Sequence, residues 1–82
     1  MKNSMEITLS ELPLNSLGYI SKINCNENIK RRLLDLGLIE NSKIIPVLVS
    51  PFGNSKAYDI RGTLISLRND ESNNIIVKYY CF

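Results

Sequence analysis

The sequence predicts a mainly β domain: a small barrel of five or six strands with one inserted α-helix at about residues 26–36. Three observations lead there. Apolar residues alternate in several short runs, the spacing that puts them on one face of a strand. A single stretch carries helical spacing with signals at both ends. The 82-residue chain is long enough for one domain only. Short strands in so small a chain cover their apolar face by curling, and closure removes exposed sheet edges.

Met5, Ile7 and Leu9 alternate with Glu6, Thr8 and Ser10, a first strand. Ser10 to Pro13 could instead begin one helical turn. After Gly18, Tyr19 to Ile23 reads as a strand with imperfect alternation, which allows a bulge or an early end. Asn24 to Leu38 carries the helix. Asn24 and Glu27 fit a capping box, with Asn26 as a rival cap. Ile29, Leu33 and Leu36 follow at i, i+4 and i+7 and are expected to face the sheet, while Lys30 and Arg31 stay exposed. Glu27–Arg31 and Arg31–Asp35 are spaced as opposite-charge pairs. With Gly37 just past the end, Leu33 and Leu38 become the apolar pair of a Schellman ending.

Beyond the helix the period becomes two. Lys43 to Val49 has Ile45, Val47 and Val49 on one face and Ile44 and Leu48 on the other, with Pro46 expected at an edge or bulge. Pro51 to Ser55 is a turn-rich loop. Tyr58 and Ile60 alternate up to a bend at Gly62, and Ile65 and Leu67 alternate beyond it. Asn69 to Asn74 is a polar loop in which Asp70 and Glu71 are expected to face water. Ile75, Val77 and Tyr79 form the last strand face.

The formal charge of +2 is near balance, and the basic residues are scattered, so specific nucleic-acid binding is not expected. Its aromatic and basic candidates are Tyr58, Tyr79 and Tyr80 with Arg61 and Lys78. There is no histidine, which removes the commonest proton shuttle and metal ligand near neutral pH. Cys25 and Cys81 have no CxxC spacing and read as ordinary thiols of a reducing compartment. No catalytic, cofactor-binding or metal-ligating set emerges. No run of 18 apolar residues and no export signal is present, so a cytoplasmic location is expected. Lys30, Arg31 and Arg32 are either a solvated helix face or a recognition surface. Gly53 and Gly62 read as turn positions, although Arg61-Gly62 could expose a binding arginine on a bend.

The run Arg31-Arg32-Leu33-Leu34-Asp35-Leu36-Gly37-Leu38, then a strand, Pro51-Phe52-Gly53 and Ile60-Arg61-Gly62, closely resembles the FeoA family of bacterial ferrous iron uptake. Leu9 to Leu12, Gly18, Leu64 to Arg68 and a last strand ending near Lys78 fit the same pattern, over roughly residues 7 to 79. The sequence departs from it at Asn54-Ser55, where Asp-Pro is common, and at Pro46. The resemblance implies an SH3-like barrel, and the lack of a catalytic set makes the expected module non-enzymatic and without cofactor. It also implies a partner, the cytoplasmic domain of a FeoB-type transporter, through which alone the chain would meet the membrane. Arg31, Arg32, Leu38, Ile39, Ile44 and Leu48 are the candidate partner-binding residues, although Ile44 and Leu48 could simply receive the helix. Ile29, Leu33, Leu36, Gly37, Gly53 and Gly62 are the structural positions. A monomer or weak homo-oligomer is expected. The alternatives are a nucleic-acid-binding barrel and a transition-metal-responsive regulatory domain.

Overall fold

The computed structural model describes residues 3–24 and 26–81. Six strands appear in chain order: β1 (Asn3–Thr8), β2 (Gly18–Ile23), β3 (Lys43–Val49), β4 (Ser55–Ile60), β5 (Thr63–Arg68) and β6 (Ile75–Cys81). A 3-10 turn at Leu9–Glu11 follows β1, helix α1 (Glu27–Asp35) joins β2 to β3, and a single-turn helix α2 (Asn69–Ser72) follows β5. All pairings are antiparallel, and the sheet order is β1-β6-β2-β3-β4-β5.

The expected barrel is not formed. β1 and β5 are the outer strands, and no pairing joins them among the described residues. The sheet instead folds into two three-stranded halves, linked where Gly18 and Tyr19 of β2 pair with Ile44 and Lys43 of β3. Two bonds extend that link: Ile20 donates to the Ser42 carbonyl at 2.9 Å and accepts from Asn41 at 2.7 Å. Side chains and turns do at the open side what a backbone ladder was expected to do. Lys56 Nζ donates to the Ser10 carbonyl at 2.7 Å, and the Ser10 hydroxyl reaches Asn73 just after α2. Satisfying a few polar groups this way needs no continuous strand register.

One apolar cluster draws on both halves. Ile20, Ile75 and Val77 enter it from the first, and Ile44, Tyr58, Ile60, Ile65 and Leu67 from the second. Leu9 and Leu12 come from the 3-10 turn and the residues after it, and Leu33 and Leu38 from around α1. Leu12 lies so close to Gly18 that a Cβ there would come within 2.9 Å of its methyl, which accounts for the glycine. The interrupted alternation of β2 is a register shift between Ile20 and Lys22, and Pro46 sits beside another between Pro46 and Leu48. Among the described residues β3 pairs beyond Ile44 with β4 alone, and the polar side of the Pro46 backbone faces away from β4 toward Asn15, so the missing N–H costs no ladder bond. The Pro46 carbonyl accepts from Asn15 at 2.7 Å.

Candidate interaction surface

Helix α1 positions the surface, and both of its ends are set by sequence. Asn26, not Asn24, is the N-cap: its side-chain oxygen accepts from the Ile29 N–H at 3.0 Å. Asn24 is engaged elsewhere, donating its backbone N–H to the Asn74 carbonyl at 2.7 Å. At the other end Gly37 takes φ +96, Leu38 N–H bonds Leu33 O at 2.9 Å, and Gly37 N–H bonds Leu34 O at 3.0 Å. That is the full Schellman pair, with Leu33 and Leu38 both buried.

Leu36 departs from expectation. It caps the helix and is 40% exposed, because the helix stops one residue short and the Gly37 turn carries Leu38 inward in its place. Leu33 is fully buried and Ile29 half-buried against the core, whereas Lys30 and Arg31 are exposed.

Beside α1 lies a groove of about 250 Å³ lined by Lys22, Ile23, Lys30, Leu34, Ile39 and Glu40. Lys30 and Leu34 stand one helical turn apart on the same side. Leu34 and Ile39 are exposed beside half-buried Ile23, and Lys22, Lys30 and Glu40 supply the charged part of the lining.

The candidate partner-binding residues divide. Leu38 and Ile44 have no exposed surface and belong to the core, so they offer nothing to a partner. Ile39 is exposed on the groove. Leu48, 60% exposed, stands on β3 next to Ala57 of β4 and is not part of this groove. Arg31 is exposed, but Arg32 is engaged: its Nη2 lies 2.7 Å from Glu71 Oε2. Arg32–Glu71 is the ion pair among the described residues, so the pairs expected along the helix face are not made.

Glu71 is the residue that sequence reasoning missed. It was expected in water, yet it is 7% exposed, and its Oε1 accepts the Arg68 N–H at 3.1 Å. A cap of this kind is signalled by Ser, Thr, Asp or Asn three residues earlier; here that residue is Arg68. Lys22 and Leu34 also escaped notice as groove residues, because only the tertiary fold brings β2 alongside the second turn of α1.

Gly53 and Gly62 occupy left-handed turns as expected, at φ +71 and +83. The Gly53 loop is pinned to α2 by Asn69, whose Nδ2 donates to the Gly53 carbonyl at 2.7 Å and whose N–H donates to Asn54 at 3.0 Å. Tyr58 lies in the core and is not available for base stacking, and Tyr79 packs half-buried against it; the side chain of Tyr80 lies outside the described residues. Burial pushes the Tyr58 hydroxyl pKa above its ordinary value of 10.0, and a marginal contact with Ser72 pulls the other way. Among the described residues no three His, Cys, Asp or Glu side chains come together to hold a metal. Cys25 and the Cys81 side chain lie outside them. Among the described residues no helix is long and apolar enough to cross a membrane.

A family profile described as the FeoA domain matches residues 7–79. A comparison with curated proteins finds no match. Among solved structures, a FeoA protein from Chlorobium tepidum superposes with a TM-score of 0.85 at 27% identity, covering 89% of this chain and 70% of that one. A FeoA-like protein from Clostridium acetobutylicum gives 0.81 at 27% identity over 90% and 86%. A zinc complex of Stenotrophomonas maltophilia FeoA, described as a procaryotic SH3 domain protein, gives 0.75 at 29% identity over 87% and 88%. The chain belongs to the FeoA family, small bacterial domains linked to ferrous iron transport.

Proposed function

We propose that this chain docks on the cytoplasmic domain of a FeoB-type ferrous iron transporter and regulates it from that side of the membrane. As a FeoA domain it is a non-enzymatic module of ferrous iron uptake, and family membership is the observation that carries the reading. The Stenotrophomonas relative is itself described as a candidate ferrous iron transport activating factor. The docking surface is the groove beside α1, where Leu34 and Ile39 supply apolar contact. Lys22, Lys30 and the nearby Arg31 would steer association more than add affinity.

The test titrates this chain with the isolated cytoplasmic domain of the transporter and with the full-length transporter in membranes. Saturable binding is expected in both, and Ile39→Asp is expected to weaken it at least about tenfold while leaving the fold intact, since Ile39 is already exposed. Absence of binding to the full-length transporter overturns the partner. Undiminished binding of a folded Ile39→Asp variant overturns the surface.

A further inference from the structure

A second hollow, of about 410 Å³, opens between the segment leading into β3 and the turn that joins β4 to β5. Asn41, Ser42, Lys43, Ile45, Asp59 and Arg61 line it together with Gly62. We propose that this hollow binds the carboxylate of a peptide, with Arg61 and Lys43 as its cationic ligands and Ile45 receiving an adjacent apolar group.

The backbone makes the first part of the case. Ile60 pairs with Thr63, so Arg61 and Gly62 form a two-residue hairpin turn, with φ +54 and +83. Turns with both angles positive favour Asn-Gly, Asp-Gly or Gly-Gly. Arginine has neither the missing Cβ of glycine nor the short polar side chain that lets asparagine tolerate this region. A residue held where local folding disfavours it points to a function for its side chain. Asn41, on another wall of the same hollow, is also left-handed at φ +69.

Charge makes the second part. Lys43 and Arg61 line the same hollow, one from β3 and the other from the turn that joins β4 to β5. Two like charges brought to one hollow repel, and neither cation has an ion pair among the described residues. Asp59 is engaged with the turn instead: its Oδ1 accepts the Gly62 N–H at 3.0 Å and so buttresses the backbone there. One net positive charge therefore remains in the hollow, which suits a singly charged oxyanion rather than a phosphate dianion. The guanidinium fork matches a carboxylate in two parallel bonds. The apolar wall at Ile45 favours a carboxylate carried on a peptide over a free inorganic anion.

The site is distinct in its lining residues from the groove beside α1, and it holds whichever protein supplies the carboxylate. Amide chemical shifts of the intact chain are followed at low salt during titration with four probes. These are acetyl-Gly-Leu with a free C-terminus, the same peptide amidated, acetyl-Glu-Leu-amide and inorganic phosphate. The free-carboxylate probes should shift the amides of 41–43 and 59–62 saturably, and the fully neutral amide should not. The tighter of the C-terminal and side-chain carboxylates identifies the source. Arg61→Asn removes the cation while suiting the turn, so it folds, and it should weaken binding at least about fivefold. Lys43→Gln should act in the same direction. The proposal is overturned if no carboxylate probe moves these amides, if the neutral amide binds equally, if Arg61→Asn binds as well as wild type, or if phosphate binds more tightly than either carboxylate.

Discussion

The Arg32 guanidinium sits 2.7 Å from the carboxylate of Glu71, bringing the last turn of α1 against the single-turn helix that follows β5. The two residues are 39 positions apart, so the pair fixes a tertiary relationship that no local pattern specifies. Glu71 is nearly buried and also receives the Arg68 N–H, whereas the Arg32 side chain is 55% exposed. This asymmetry sets the energetics. Removing the arginine leaves a desolvated carboxylate with one remaining partner, while removing the carboxylate returns the arginine to water.

Arg32→Ala should therefore destabilise the fold by about 1–2 kcal/mol, the low end for an unpaired buried charge, because the exposed guanidinium is already screened. Glu71→Ala should cost about 2–3 kcal/mol, since it also strips the Arg68 N–H of its acceptor. Urea denaturation of both single variants and the double variant gives the coupling directly. A coupling energy near zero would show that the contact is incidental.

Tyr58 offers a test at high pH. Its hydroxyl is fully buried and makes no well-formed hydrogen bond, and burial raises its pKa. The unfolded chain then loses this proton first, near the ordinary value of 10.0. The contribution of Tyr58 to stability is complete below about pH 10 and declines as pH rises from there through the folded-state pKa. Tyr58→Phe should flatten the alkaline limb of the stability–pH curve. At neutral pH it should be neutral or stabilising by up to about 1 kcal/mol, because a polar group without a good partner leaves the core. A steeper alkaline loss in the variant would contradict this.

The end of α1 separates backbone strain from packing. A Cβ on Gly37 would meet nothing within 4 Å, so Gly37→Ala bears only the left-handed backbone at φ +96, about 1–2 kcal/mol. Leu33→Ala removes a fully buried side chain and should cost about 2–5 kcal/mol. Thermal unfolding of both variants should show Leu33→Ala as the more damaging. Equal effects would mean that the turn and the packing fail together.

What was legible in the sequence was local. Helix α1 follows from Asn26, the Ile29–Leu33 spacing and Gly37, all within twelve residues. β3 follows from its apolar run, and the buried faces of β4, β5 and β6 from the period-two spacing of Tyr58 and Ile60, Ile65 and Leu67, and Ile75 and Val77. Leu36 misled because i+7 spacing assumes the helix continues, and the Gly37 turn substitutes Leu38 at that place in the core. The open sheet was not legible, since the bonds of Lys56 and Asn73 to Ser10 join residues far apart in the chain. The candidate surface was legible only in part for the same reason. Ile44 and Leu48 share a parity, but the register shift beyond Pro46 breaks it, burying Ile44 and leaving Leu48 60% exposed.

That break gives the last prediction its contrast. Ile39 borders a groove with apolar and cationic walls, while Leu48 stands on β3 outside that groove. Both are exposed, so an aspartate at either should leave stability within about 0.5 kcal/mol of wild type. At the centre of an interface, a buried charge without a partner costs several kcal/mol, whereas outside it the same charge alters mainly the association rate. Isothermal titration with the transporter's cytoplasmic domain should then show Ile39→Asp weakened at least about tenfold, that is, by 1.4 kcal/mol or more. Leu48→Asp should stay within about threefold. If Leu48→Asp alone abolishes binding, the outer side of β3 is the docking surface, and the groove beside α1 serves another purpose.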